Sequence, residues 1–247
     1  MRDDRLTVGA IAIAASVLVT ADHEALGHGS ACLALGGHIK LLTSVYMDCA
    51  GGNAVVAACG PSMNLAMGAL AWLALRRGAI LRPQLRLFAL LVMALSWFWE
   101  AGYLLYAMAL NTGDTAIAAR AVFGAPEWPW RVAGFIAGIA LYAVAIRAVA
   151  AAARGFVNAS VLRLCWLAAS TAAVLAAAFY APGRVPAMGQ AALEIGAASV
   201  PLLGRFAQMR VEGSAIGRSV PWIAFALVVY AIFLCTLGHG LPWAATS

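Results

Sequence analysis

Charge is scarce in this chain. Asp, Glu, Lys and Arg make up 11% of 247 residues, and fifteen of the sixteen cationic residues are Arg. So little charge beside 64% hydrophobic residues and a mean hydropathy of +0.89 excludes a soluble globular protein, whose surface needs roughly 25% charged residues. No basic patch with interleaved aromatics occurs, which excludes nucleic acid as a partner. The net charge of +6 instead falls mostly in short inter-helix loops, where it sets topology and meets lipid headgroups. The five cysteines, at 32, 49, 59, 165 and 235, include no C-x-x-C pair and are odd in number. They suggest neither a disulfide framework nor a thiolate metal site, and are read as small apolar packing residues. Internal repeats, a disordered tail and a soluble insert are also missing, so residues 1–247 are expected to form one membrane domain.

What remains is a series of long apolar runs, at about 7–35, 54–75, 87–110, 131–149, 161–180 and 220–241. A weaker run over 186–203, interrupted by Gln190 and Glu194, either spans or lies in the interface. The fold class expected is therefore an all-α polytopic membrane bundle of six or seven transmembrane helices. Trp128 and Trp130 suit an interfacial belt. Between Gly36-Gly37 and Gly51-Gly52, a stretch rich in β-branched and aromatic residues reads as a short hairpin or extended loop after the first helix. The first run is too long for a signal-peptide core and is expected to be retained. The Arg and Ala bias suits a GC-rich bacterial genome, with the protein in the cytoplasmic membrane. His239, near the end of the last run, reads as a packing histidine.

The first run carries what apolar runs exclude. Ala21 to Gly29 reads A-D-H-E-A-L-G-H-G, placing Asp22, His23, Glu24 and His28 within seven residues. An acid at mid-bilayer costs about 2.5 to 3.5 kcal/mol, so the cluster requires neutralising partners, and a divalent metal is the obvious one. A His-Glu pair followed by a second histidine is the core of the zincin arrangement, in which two histidines bind zinc and the glutamate is general base. There the histidines stand four apart, whereas His23 and His28 stand five apart, about 140° around a regular helix. Two solutions remain open. A π-bulge at Ala25-Leu26-Gly27 puts both imidazoles on one face, or a regular helix offers Glu24 and His28 as the ligand pair.

Further along, the second run contains Gly60-Pro61-Ser62-Met63-Asn64, and the third ends in Asn111-Thr112-Gly113-Asp114 after carrying Glu100 at mid-span. A His-Glu helix, a glycine-led extended loop and then a helix with G-P-x-x-N resemble the site-2 protease family of intramembrane zinc metalloproteases. The resemblance covers roughly residues 10–118. It implies a metalloprotease core over 7–118 with accessory transmembrane helices over 119–247. It further implies Zn2+ as cofactor, His23 and His28 as ligands, Glu24 as the base that activates water, and Asn64 as an amide holding the substrate or the oxyanion. The third ligand it calls for is an aspartate on a later helix, for which Asp114 is the candidate. Asn111 to Asp114 departs from the family's N-P-x-P-x-L-D-G segment, and also reads as a helix stop with Asp114 capping a helix over 115–122. Glu100 pairs with an arginine, supports a histidine ligand, stays protonated, or replaces Asp114 as third ligand.

The activity implied is hydrolysis of a peptide bond in or next to the membrane, the partners being the bilayer and a substrate with a single transmembrane helix. Two other classes stand beside it: a metal-binding scaffold or regulatory protein without turnover, and a proton or metal carrier. The carrier calls for two related halves with interrupted helices, which the sequence does not show. With seven spans and a cytosolic N-terminus, twelve of the sixteen cationic residues fall on the cytosolic side. The arrangement commonest in the resembled family implies the reverse, so the orientation stays open.

Overall fold

The computed structural model describes residues 3–77, 82–204 and 215–242. Helix α1, Arg5–Ala34, starts where the Asp4 carboxylate accepts the Thr7 amide hydrogen at 2.9 Å, an N-cap. Its apolar side, with Val8, Ile11, Ala15 and Val19 wholly buried, lies in the middle of the bundle. The chain turns at Gly36, whose φ of 77° suits glycine, into a hairpin of β1, His38–Leu42, and β2, Met47–Ala50. Thr43 closes the turn through its amide and hydroxyl, both donating to the Tyr46 carbonyl. A late two-residue strand β3, Leu241–Pro242, joins the other edge of β1, giving the order β2-β1-β3.

This hairpin corrects the reading of the cysteines. Cys32, in the last turn of α1, and Cys49, on β2, form a disulfide across a Cα separation of 5.9 Å. Their 17-residue spacing carries no motif; the return of the hairpin onto the helix end brings them together. Cys59, Cys165 and Cys235 are free.

Helix α2, Ala54–Arg76, is capped by the Asn53 side chain accepting from the amides of Val55 and Val56. Helix α3, Pro83–Leu110, begins four residues before the expected start because Pro83 supplies a preformed first turn. It is the most enclosed of the long helices, with Leu87, Leu90, Met93 and Phe98 wholly buried. Asn111 ends it in the left-handed conformation, and Gly113, at φ 81°, turns the chain into the short helix α4, Asp114–Phe123. Asp114 is thus the first residue of α4 with Gly113 in the capping position, so the capping role for Asp114 is not observed.

The remaining long helices are α5, Trp128–Ala153, α6, Ala159–Ala177, and α8, Val220–Gly238. Among the described residues six helices, α1, α2, α3, α5, α6 and α8, are long and apolar enough to cross a membrane. Their outer surface is apolar too: Phe135, Ile136 and Ile139 on α5 and Leu227 and Val228 on α8 are all exposed. So large an exposed apolar surface is the mark of a membrane protein rather than of a soluble one.

The weak segment near 186–203 is neither a regular span nor a surface helix. It packs along α6 in three pieces: α7, Arg184–Ala191, a π turn, Ala192–Ala197, and a 3-10 turn, Val200–Leu203. It begins beside the sheet and ends where Arg163, in the first turns of α6, donates to the Leu203 carbonyl. The bundle therefore has two distinguishable ends. At one, Asp4 and Ile216 share a backbone hydrogen bond, Gln84 donates to the Gly217 carbonyl and Arg86 lies over Phe156. At the other sit the sheet, the α3–α4 turn and the start of α7.

Candidate metal centre

The expected distortion of α1 is present and longer than one bulge: Asp22–Gly29 is a π-helix, with about 4.4 residues per turn in place of 3.6. The extra residue per turn brings positions five apart onto one face. His23 and His28 consequently meet, Nε2 to Nε2, at 3.1 Å. Close packing against α2 accommodates the widened turn. A Cβ on Gly27 would stand 2.6 Å from the Gly60 Cα, and one on Gly60 would stand 2.2 Å from the His28 Nε2. The Gly60 of the G-P-x-x-N element is thus the space in which the second imidazole sits.

Each imidazole is oriented from behind. His28 Nδ1 donates to the Val56 carbonyl at 2.8 Å, since a carbonyl can only accept. His23 Nδ1 lies 3.0 Å from Glu100 Oε1 and donates to that carboxylate. Asn64 Nδ2 donates to the same Glu100 oxygen at 2.8 Å, and Trp99 stacks on the His23 ring at 4.5 Å between centroids. With both Nδ1 atoms protonated, both neutral rings aim an Nε2 lone pair at the same point. Two lone pairs 3.1 Å apart repel unless a cation stands between them.

Asp114 completes the trio. Its Oδ2 lies 3.3 Å from His28 Nε2 and 3.9 Å from His23 Nε2. Tyr103 clamps it twice, donating its hydroxyl to Oδ2 at 3.0 Å and accepting the Asp114 amide hydrogen at 3.1 Å. The three donor separations of 3.1, 3.3 and 3.9 Å suit a four-coordinate ion. Bonds of about 2.0–2.1 Å in a tetrahedron place donors about 3.3 Å apart. His23, His28 and Asp114 can therefore hold a metal ion.

The other expected residues separate into two groups. Glu24 stays outside the trio: it lines the cavity beside His28 and Asp114, is 3% exposed, and its Oε2 has no hydrogen-bond partner. The pairing of Glu24 with His28 as ligands is accordingly not the arrangement found. Glu100 and Asn64 lie on the far side of His23. Glu100 meets Nδ1 rather than Nε2, so it supports a ligand and is not an alternative third one. Asn64 is wholly buried and does not line the cavity. Its Nδ2 stands 2.8 Å from Glu100 Oε1 and 3.1 Å from His23 Nδ1, behind the first imidazole. Trp99 and Tyr103 carried no role in the sequence reading. Tyr103 shares a face of α3 with Glu100 and with Trp99 in turn, three residues from Glu100 and four from Trp99, which was the available signal.

A cavity of about 710 Å³ opens from the trio toward the sheet end. Met47 and Cys49 of β2 form one wall, Thr112 of the α3–α4 turn and Ile117 of α4 another, and Gln190 and Glu194 a third. Gln190 Nε2 donates to Glu194 at 2.7 Å. No Lys or Arg is among the described residues lining the cavity, against three acids, Glu24, Asp114 and Glu194. His239 does not line it; it is exposed and against the Phe179 ring. Comparison with protein-family models, with curated proteins and with solved structures finds no match.

Proposed function

We propose that this protein is a multi-pass membrane metallopeptidase, a divergent relative of the site-2 proteases, cleaving a peptide bond in or next to a bacterial cytoplasmic membrane. The observation that carries the proposal is the meeting of two imidazole Nε2 atoms at 3.1 Å with one carboxylate completing the set, beside a glutamate whose Oε2 has no hydrogen-bond partner. Zinc is the ion this two-His, one-Asp set suits; His23, His28 and Asp114 would hold it, and it would supply a Lewis acid for a carbonyl oxygen and make water nucleophilic at neutral pH.

The residues around the ion divide the work. Glu24 Oε2, with no other partner, accepts the proton of the attacking water and returns it to the leaving amine. Glu100, held by Asn64, keeps the hydrogen of His23 on Nδ1, and Val56 does the same for His28. Tyr103 fixes Asp114 on its side of the centre. The free edge of β2, whose Met47 and Cys49 face the cavity, offers backbone groups to an extended substrate strand. A locally unwound transmembrane segment brings such a strand and satisfies its own hydrogen bonds there.

Elemental analysis of the full-length protein in detergent tests the centre, and cleavage of a membrane-anchored peptide library tests the chemistry. About one zinc per chain is expected, lost in His23→Ala, His28→Ala and Asp114→Ala. Glu24→Gln should keep the zinc and lose roughly 10²–10⁴-fold in turnover, the usual contribution of a general base. Zinc kept in all three ligand variants would overturn the centre. Zinc bound with no cleavage by the wild type would leave the non-catalytic scaffold.

A further inference from the structure

We infer that the metal centre opens on the oxidising, non-cytosolic face of its membrane, and that its substrates are polypeptide segments presented from that face. The inference rests on the proposed membrane-spanning bundle and assigns its direction. Two unrelated observations carry it.

The first is redox chemistry. The Cys32–Cys49 disulfide ties the last turn of α1 to β2, and Cys49 itself lines the cavity. Structural disulfides persist outside the cytosol and are reduced within it. The sheet end, where the cavity opens, therefore belongs in the oxidising compartment.

The second is the distribution of cations between the two ends. The broken segment from Arg184 to Leu203 returns the chain from the sheet end to the opposite end, so α8 runs back to the sheet and β3 can pair with β1. Counting this traverse, nine of the thirteen described cationic side chains lie toward the end opposite the sheet: Arg5, the four from Arg76 to Arg86, Arg147, Arg154, Arg163 and Arg218. Lys40, Arg120, Arg131 and Arg184 are the four toward the sheet. Cations accumulate on the cytosolic side of membrane proteins, which puts the sheet outside. Charge and redox chemistry thus agree, and both reverse the orientation implied by the resemblance to site-2 proteases.

The cavity mouth defines what can enter. Tyr46, Asn53, Thr112 and Gly183 border it at the sheet end. The substrate class is an extended stretch at the outer membrane–water boundary, rather than a cytosolic loop.

Cysteine labelling of the full chain in intact cells tests the direction. With Cys59 and Cys235 replaced by serine, Ala125→Cys, in the exposed α4–α5 loop at the sheet end, should react with a membrane-impermeant maleimide before lysis. Arg77→Cys, exposed at the opposite end, should react only after lysis. Cys32 and Cys49 should become reactive only after reduction. The reverse labelling pattern, equal labelling of both sites before or only after lysis, or free Cys32 and Cys49 in unreduced cells each overturns the inference. None of these readouts uses metal or turnover, so a reversed pattern beside a zinc-loaded protein removes the orientation alone. Normal labelling beside absent zinc removes the enzyme reading alone.

Discussion

At the scale of single residues, the centre depends on which ring nitrogen carries hydrogen, and that is decided by groups behind the ligands. Glu100 does this for His23, and it is one of the buried acids that an apolar helix tolerates only with a partner. Glu100→Gln retains size and an acceptor oxygen but removes the charge that favours Nδ1–H and opposes the metal's positive charge. Its zinc affinity is expected to fall roughly 10–100-fold, as loss of such a supporting carboxylate does, read by competition with a fluorescent chelator. An unchanged affinity would show that Glu100 only fills space. The ligand types were legible in the sequence because charged and imidazole side chains stand out in an apolar run. The supporting role of Asn64 was not, because the same G-P-x-x-N spacing serves an amide facing the cavity or one facing Glu100. Only its complete burial and its 2.8 Å bond to Glu100 distinguish them.

At the scale of elements, the π-helix of α1 and the close approach of α2 form one device. The π turn brings residues five apart together, and glycine on both helices makes room for a widened turn and a ring. Gly60→Ala puts a methyl group 2.2 Å from the His28 Nε2, and the ring cannot retreat without breaking its bond to Val56. The variant is expected to lose most of its zinc, as His28→Ala does, while far-ultraviolet circular dichroism still reports its helices. Full zinc occupancy in Gly60→Ala would mean that the two helices can separate freely, contrary to the packing. The need for a π distortion follows from the five-residue histidine spacing. Its extent, Asp22 to Gly29, was not legible, because it depends on the surface that α2 presents. The disulfide was likewise invisible: Cys32 and Cys49 follow no spacing rule, and their approach depends on how the hairpin returns.

At the scale of the whole molecule, the centre joins elements that are far apart in sequence. His23 and His28 belong to α1, and Asp114 starts α4 after a left-handed Asn111 and the positive φ of Gly113. An ion bound there links them only in the folded state, so it stabilises the fold by mass action. Chelation is expected to lower the melting temperature of the detergent-solubilised protein. Zinc at 100 times its dissociation constant should restore about 2.7 kcal/mol, and His28→Ala should melt at one temperature with or without chelator. A wild-type melting temperature indifferent to chelation would leave the trio without a structural ion. By itself the amino-acid sequence determined the helical, apolar architecture, the hairpin after the first helix and the identity of the His-Glu cluster, because hydropathy, glycine placement and misplaced charge are local properties. The tertiary structure alone decided that Asp114 meets the histidines, that Glu100 and Asn64 stand behind them, and that residues 184–203 carry the chain back through the bundle. Those outcomes depend on side chains from separate helices competing for the same space, and no local pattern encodes which of them arrives.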